Sequence, residues 1–181
     1  MSVMIDIIGS LIILGVVMLS IFGLTGNLNQ ASYNKSFSVV AQTNAVTLAR
    51  MLEYDIDKIG YHVKPAMFTA APDDIKFKAV LVYGGVTVNT VRYYISSTSV
   101  LGNTKNPSDR VLYREEDGKT IAANLGVTTL SFSYYNNDGF TTSALDSIKS
   151  IHVKFTVESP APVDTTYAAL SWEKRFYPKN L

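Results

Sequence analysis

The chain has 181 residues, room for one compact domain plus an extension. Its 16 basic and 15 acidic side chains nearly cancel, which removes the electrostatic case for nucleic acid. Cysteine is absent, so thiolate zinc sites, iron–sulfur clusters, cysteine nucleophiles and disulfides are excluded, while the redox compartment stays open.

The first predicted element runs from Val3 to Leu24 and reads VMIDIIGSLIILGVVMLSIFGL, about 22 residues, long enough to cross a bilayer as a helix. Asp6 is its one ionisable side chain, and Lys35 is the first basic residue of the chain. A lone carboxylate in an apolar helix is costly in hydrocarbon and calls for a partner. The segment makes a poor secretory signal: it has no positive start, its apolar run is too long and no A-x-A site follows. A plain membrane anchor is the simpler alternative, but it leaves Asp6 and the lack of flanking Lys or Arg unexplained.

Residues 23–30 are a weak patch in the helical pattern. Gly23 and Gly26, with Thr25, Asn27 and Asn29, weaken or compete with helical hydrogen bonding. Local unwinding in an assembled state is the expectation here; a hinge between membrane and soluble halves is the alternative. Beyond the patch, Phe37, Ala41, Ala45, Leu48, Leu52, Ile56 and Ile59 mark one apolar face. Gln42, Asn44, Arg50, Glu53 and Asp57 mark the opposite one. Gly60 and Pro65 close the pattern. The resulting rod of roughly 58 residues would be about 85 Å long, more than a domain of this size needs for its own core.

From residue 64 the pattern changes to period two with turn punctuation. Eleven tyrosines and frequent Thr, Ser and Asn-Asp-Gly turns fit an extracytoplasmic β-rich domain. Strands are predicted at 75–83 and 86–96 around a Gly84-Gly85 hairpin turn, and at 110–114 before Glu116-Asp117-Gly118. Further strands are predicted at 127–135, 148–157 and 167–176. Such a sheet has one apolar face, and the amphipathic half of the helix can cover it. The expected fold is therefore α+β, a long N-terminal helical spine packed on a C-terminal antiparallel sheet. The chain divides into an apolar helix at 1–30, an amphipathic helix at 31–63 and a sheet domain at 64–181.

In this arrangement the chain resembles the type IV pilin superfamily, which includes the pseudopilins of type II secretion. Read from Ser2, the stretch Ser2-Val3-Met4-Ile5-Asp6 is similar to a mature pilin start, with Asp6 in place of the usual glutamate. Residues 52–61 (LEYDIDKIGY) resemble the helix end of J-type minor pilins and pseudopilins. So do VRYYI at 91–95, VLYR at 111–114, LSFSYY at 130–135, Asp138-Gly139, IKSIHV at 148–153 and the closing PKNL. Three features depart from the family. No short basic leader ending in Gly precedes the apolar run, so either the numbering starts at a processed residue or Met1 is simply trimmed. The usual proline near the end of that run and the C-terminal cysteine pair are missing.

The resemblance implies a structural subunit of a type IV pilus-like or pseudopilus filament, with copies of itself or homologous pilins as partners. It implies residence in a bacterial inner membrane before assembly and at the cell surface or in an extracellular filament afterwards. The implied assembly positions are Ser2, Asp6, Gly9, Leu11, Leu14, Val17 and Ile21, with Gly23 and Gly26 as helix-melting positions. In a stack of such spines the Asp6 carboxylate can lie beside a neighbour's N-terminal amine, so that the two desolvation costs offset each other. Alternatively, Asp6 serves the free N–H groups of its own helix start. A membrane-anchored monomeric, adhesin-like domain using its Tyr-rich sheet is the competing function. Outer loops such as 103–109 are expected to tolerate variation.

Catalytic readings come out poorly, and neither an enzyme activity, a cofactor nor a metal is expected. His62 and His152 have no metal-ligand spacing, and His152 falls opposite the apolar positions of its strand. Ser32 and Lys35 fit S-x-x-K but lie on the spine without a companion motif. Asp73-Asp74 and the 136–139 turn carry oxygen ligands without a full calcium loop. Glu115-Glu116-Asp117 reads as a solvated turn.

Overall fold

The computed structural model describes residues 2–82, 84–102, 104–162 and 165–181, with Ser2 described for its backbone only. Helix α1 spans Ser2–Ile56, 55 residues without a break. At 1.5 Å per residue it is about 82 Å long. It ends four residues before Gly60, because the next N–H groups turn to nearer carbonyls: Lys58 to Asp55 at 3.2 Å and Ile59 to Ile56 at 3.1 Å. This tightened end still buries Ile59. Gly60 then takes a left-handed φ of +73°, and a Cβ there would stand 2.8 Å from the Asn180 carbonyl oxygen. Only glycine both turns the chain and lets the C-terminal segment approach.

Seven strands follow: β1 Met67–Ala70, β2 Asp74–Ala79, β3 Asn89–Ile95, β4 Arg110–Glu116, β5 Lys119–Tyr135, β6 Ser150–Glu158 and β7 Ala169–Phe176. They form one sheet in chain order, and each is antiparallel to the next. The architecture is the predicted α+β one, a long N-terminal helix on an antiparallel sheet, and it is pilin-like.

Three local readings need correction. β1 escaped the pattern because it is only four residues long and sits between Pro65 and Pro72. Gly84-Gly85 does not close a tight hairpin: β2 and β3 pair from Ala79 and Asn89 outwards, leaving residues 80–82 and 84–88 outside the strands, while Tyr83, the expected strand end, lies outside the described residues. The loop's first residues are pinned elsewhere. Val80 N–H bonds the Tyr61 carbonyl at 3.2 Å, and the Leu81 carbonyl accepts from Tyr54 Oη at 3.0 Å and from Lys58 Nζ. β5 begins eight residues earlier than the alternation suggests, at Lys119 rather than 127. Asp117 (φ 50°) and Gly118 (φ 80°) form a two-residue turn with both φ positive, which pairs Glu116 with Lys119 and folds 119–123 back on β4. The expected solvated turn is thus mostly strand. Of those three acids only Asp117 lies in the turn, and its carboxylate accepts from Thr90 N–H at 2.7 Å and Asn89 Nδ2 at 2.8 Å.

The core lies between the second half of α1 and one face of the sheet. Ala41, Ala45, Leu48, Leu52, Ile56 and Ile59 are buried, with Phe37 half-buried at the near end. They meet Phe77, Tyr93, Phe132, Ile151, Val153, Phe155 and Phe176 from the strands. Each buried Leu, Ile, Val or Phe side chain contributes about 1.5–3 kcal/mol on burial. Two residues of the polar face also bind the sheet. Asn44 Nδ2 reaches the Leu125 carbonyl at 3.2 Å, and Glu53 pairs with Lys174 at 2.8 Å.

A buried ionic joint locks the last turn of α1 to β3 and β4. Asp55 is 1% exposed. Arg114 Nε meets its Oδ2 at 2.7 Å, Arg114 Nη2 reaches Oδ1 at 3.3 Å, and the Tyr93 hydroxyl donates to the same carboxylate. Arg114 Nη1 continues to Glu116 at 2.7 Å. Burial pushes the Tyr93 phenol far above its ordinary 10.0, and the neighbouring Asp55 charge adds to this.

Candidate functional site

The first half of α1 has no core to cover. Every residue from 3 to 36 is exposed except the half-buried Gly9. Leu11, Leu14, Val17 and Ile21 are all exposed, and the most apolar stretch of the helix buries none of its residues against the domain. By length and composition this helix can cross a membrane. An apolar surface of this extent calls for lipid or another protein surface in place of water.

Helix geometry sorts the predicted assembly positions. At about 100° per residue, Asp6, Leu14, Val17 and Ile21 fall within an arc of about 80°, with Gly9 and Leu11 flanking it and Gly23 and Gly26 on the far side. Asp6 shares a shallow surface groove with Val3, Ile7, Ser10, Leu11 and Leu14. It has no cationic partner among the described residues. Met1 and the side chain of Ser2 lie outside the described residues, so the predicted part of Ser2 in assembly falls there too.

The hydroxyls of Ser10, Ser20 and Thr25 are internally satisfied. Ser10, Ser20 and Thr25 donate to the carbonyls of Asp6, Val16 and Ile21, at 2.8, 2.9 and 2.8 Å. Each bond returns one turn along the helix, so these hydroxyls need no water. Between Val3 and Leu24 that leaves the Asp6 carboxylate as the unpaired polar side chain among the described residues, which is the chemistry an intermolecular partner would meet. The glycines leave room for one: a Cβ at Gly9, Gly15, Gly23 or Gly26 would touch nothing within 4 Å. Small residues of this kind let a second helix approach closely. The helix is continuous through 23–30 in the single chain; the expected unwinding concerned the assembled state.

The remaining predicted sites resolve into structural roles. Asp74 forms a bidentate pair with Arg92, with contacts of 2.6 to 3.2 Å. Asn136 Oδ1 accepts from Asp138 and Phe140 N–H at 3.0 and 2.9 Å, an Asx turn that uses the oxygen a metal would need. His152 is half-buried on β6, 4.0 Å from Glu173, and His62 sits in the turns after α1 at φ 56°. Ser32 and Lys35 are exposed on the spine. Among the described residues no three His, Cys, Asp or Glu side chains gather as a metal cluster. Of the expected outer loop 103–109, Asn103 lies outside the described residues, and residues 104–109 are not wholly free. Asn106 and Asp109 are buried at 1% and 3% exposure, held where the loop meets the end of β6.

No family model matches this chain, and no curated protein matches it.

Proposed function

We propose that the chain is a structural subunit of a thin extracytoplasmic filament of the type IV pilus or secretion pseudopilus kind, not an enzyme. The observation that carries this reading is the spine itself: about half of one unbroken helix is apolar, exposed and marked by a single unpaired carboxylate. In the membrane, lipid covers that half. In the filament, the corresponding halves of other copies replace lipid, burying the Leu14–Val17–Ile21 side and holding the sheet domains outward. Asp6 faces a neighbour's N-terminal amine and sets the axial register between copies, because a buried charge of either sign is stable only with its partner in place. The bacterial inner membrane holds the subunit before assembly, and the cell surface carries it afterwards.

The test is to shear surface filaments from producing cells, image them, and take the intact mass and N-terminal sequence of the same material. The expected result is a thin helical fibre containing this chain, lost in Asp6→Ala while the sheet domain stays folded. Finding the chain only as a membrane-bound monomer would overturn the reading in favour of an anchored binding domain, and undiminished fibres from Asp6→Ala would remove the charge pairing.

A further inference from the structure

On the face of the sheet turned away from α1, an arginine stands without an acid. Ile151, Val153 and Phe176 face the core, so strand alternation turns Ser150, His152 and Arg175 to the opposite face. Register gathers them there: Ser150 pairs with Tyr135 and His152 with Arg175. β7 is an edge strand, which leaves Arg175 with a neighbouring strand on one side only. Tyr177, one step past the end of β7, continues the same side and is 67% exposed.

The Arg175 guanidinium is held but not neutralised. Its Nε and Nη2 donate to Ser150 Oγ at 3.0 and 2.9 Å, and that serine is 2% exposed. Its central carbon lies 4.1 Å from the centre of the Tyr135 ring and 5.5 Å from that of Tyr177. Ring faces attract a cation and fix its plane without cancelling its charge. Glu173, the acid two residues earlier on the same face, is turned instead to Lys154 at 3.8 Å and His152 at 4.0 Å. Arg92 and Arg114, by contrast, close on Asp74 and Asp55. A guanidinium carries five N–H donors. Ser150 takes two of them, and the rest, at the Nη1–Nη2 end, have no acceptor among the described residues.

We propose that Tyr135, Arg175 and Tyr177, with Ser150 beneath them, bind the carboxylate-bearing sugar units of an acidic polysaccharide, uronic acids in kind. The free Nη1–Nη2 end is a planar pair of donors, which matches the two oxygens of a carboxylate. A phosphate or sulfate group presents its oxygens in three dimensions and draws on further cations or backbone N–H groups. Lys154 on this face is already engaged with Glu173. The exposed Tyr177 ring beside the fork offers an apolar plate for the C–H face of a sugar, whose hydroxyls stay in water. In a uronic acid the carboxylate is attached to the sugar ring, so one unit reaches both. With one fork and one plate the grip on each unit is weak, a dissociation constant on the order of 1 mM. An anchored monomer would present the same face, so the site does not depend on the filament reading.

The experiment titrates the full chain in detergent micelles with a galacturonate tetramer and with its methyl ester, which keeps the sugar rings and loses the charges, and follows both by saturation-transfer NMR. The acid should bind saturably, on the order of 1 mM, and the ester about tenfold more weakly or less tightly still. Arg175→Lys keeps the charge but loses the fork, and should weaken binding of the acid about tenfold. Tyr177→Ala should weaken it about threefold to tenfold. Both side chains are exposed, so both variants should keep the wild-type unfolding temperature, and Arg50→Lys, at an exposed position on α1, should leave binding unchanged. No saturable binding by the wild type, or equal binding of acid and ester, would overturn the proposal. Wild-type affinity in Arg175→Lys would overturn it as well. A tetraglutamate peptide that binds as tightly as the tetramer would overturn the sugar assignment and leave a general carboxylate site.

Discussion

Leu14 and Leu52 lie on the same unbroken helix, yet Leu14 is 54% exposed and Leu52 fully buried. The second half of α1 is stabilised by its own chain, through an apolar face set against the sheet and an ionic joint at its end. The first half offers as much apolar surface with nothing from the described residues to cover it. Helices of ordinary composition draw most of their stability from packing rather than from propensity. The first half is therefore a helix whose packing partner lies outside the molecule, and the domain is the handle that holds it. Substitutions in the two halves should then report on different equilibria: folding of the domain for one, lipid or subunit association for the other.

The largest effect on folding should come from the joint. Removing either Asp55 or Arg114 by alanine leaves the other charge buried without its partner, a cost of about 3–5 kcal/mol in denaturant unfolding of the detergent-solubilised chain. A loss below about 1 kcal/mol would mean that water reaches the site and that the clamp is not what fixes the helix to the sheet. The two leucines give the sharpest contrast. Leu52→Ala should cost about 2–5 kcal/mol through the cavity it leaves. Leu14→Ala should leave the domain's unfolding unchanged and reduce filament yield instead. Equal effects of the two on domain stability would break the division drawn here.

The joint also makes a prediction about pH. The folded Tyr93 phenol is shifted upward by burial and then by Asp55, and the Tyr134 phenol upward by burial and then by Asp74 and Asp73. Their contribution to stability is fully present below their unfolded value of 10.0 and is lost as pH rises toward the folded values. In an alkaline absorbance titration, Tyr93 and Tyr134 should therefore ionise only as the domain unfolds. Tyr93→Phe should remove one from that late class, and an unchanged count would contradict the buried hydroxyl contact with Asp55.

Much of this was legible in the residues. The apolar spacing from Ala41 to Ile59 identified the buried face, and the length of the apolar run before Leu24 identified the half without a core. Asp55 was the readable signal that periodicity alone passed over. It follows Leu52 by three and precedes Ile59 by four, so it falls on the apolar face, and an acid there demands a cation. Its partner was marked too, since Arg114 alternates inward with Leu112 on β4. The burial of Asn106 was less accessible, because its side-chain partner Glu158 lies 52 residues later and no local pattern joins them. The early start of β5 was hidden for a different reason: residues 119–126 are held by a turn and a neighbouring strand rather than by alternating burial.

The smallest effect concerns the rim of the same helix–sheet contact. Lys174 on β7 pairs with Glu53 on α1 at 2.8 Å, and its ammonium is held above its ordinary value chiefly by that hydrogen bond. Both side chains are more than a third exposed, so water and salt screen the pair. Lys174→Ala should cost at most about 1 kcal/mol, and less as ionic strength rises. The pair lies about two residues along α1 from Asp55, so the helix crosses from screened to desolvated electrostatics within one turn. A double-mutant cycle between Lys174 and Glu53, set beside one between Arg114 and Asp55, measures that step. Coupling energies of similar size would show that the joint is as wet as the rim, and the second half of α1 would then be held by its apolar face alone.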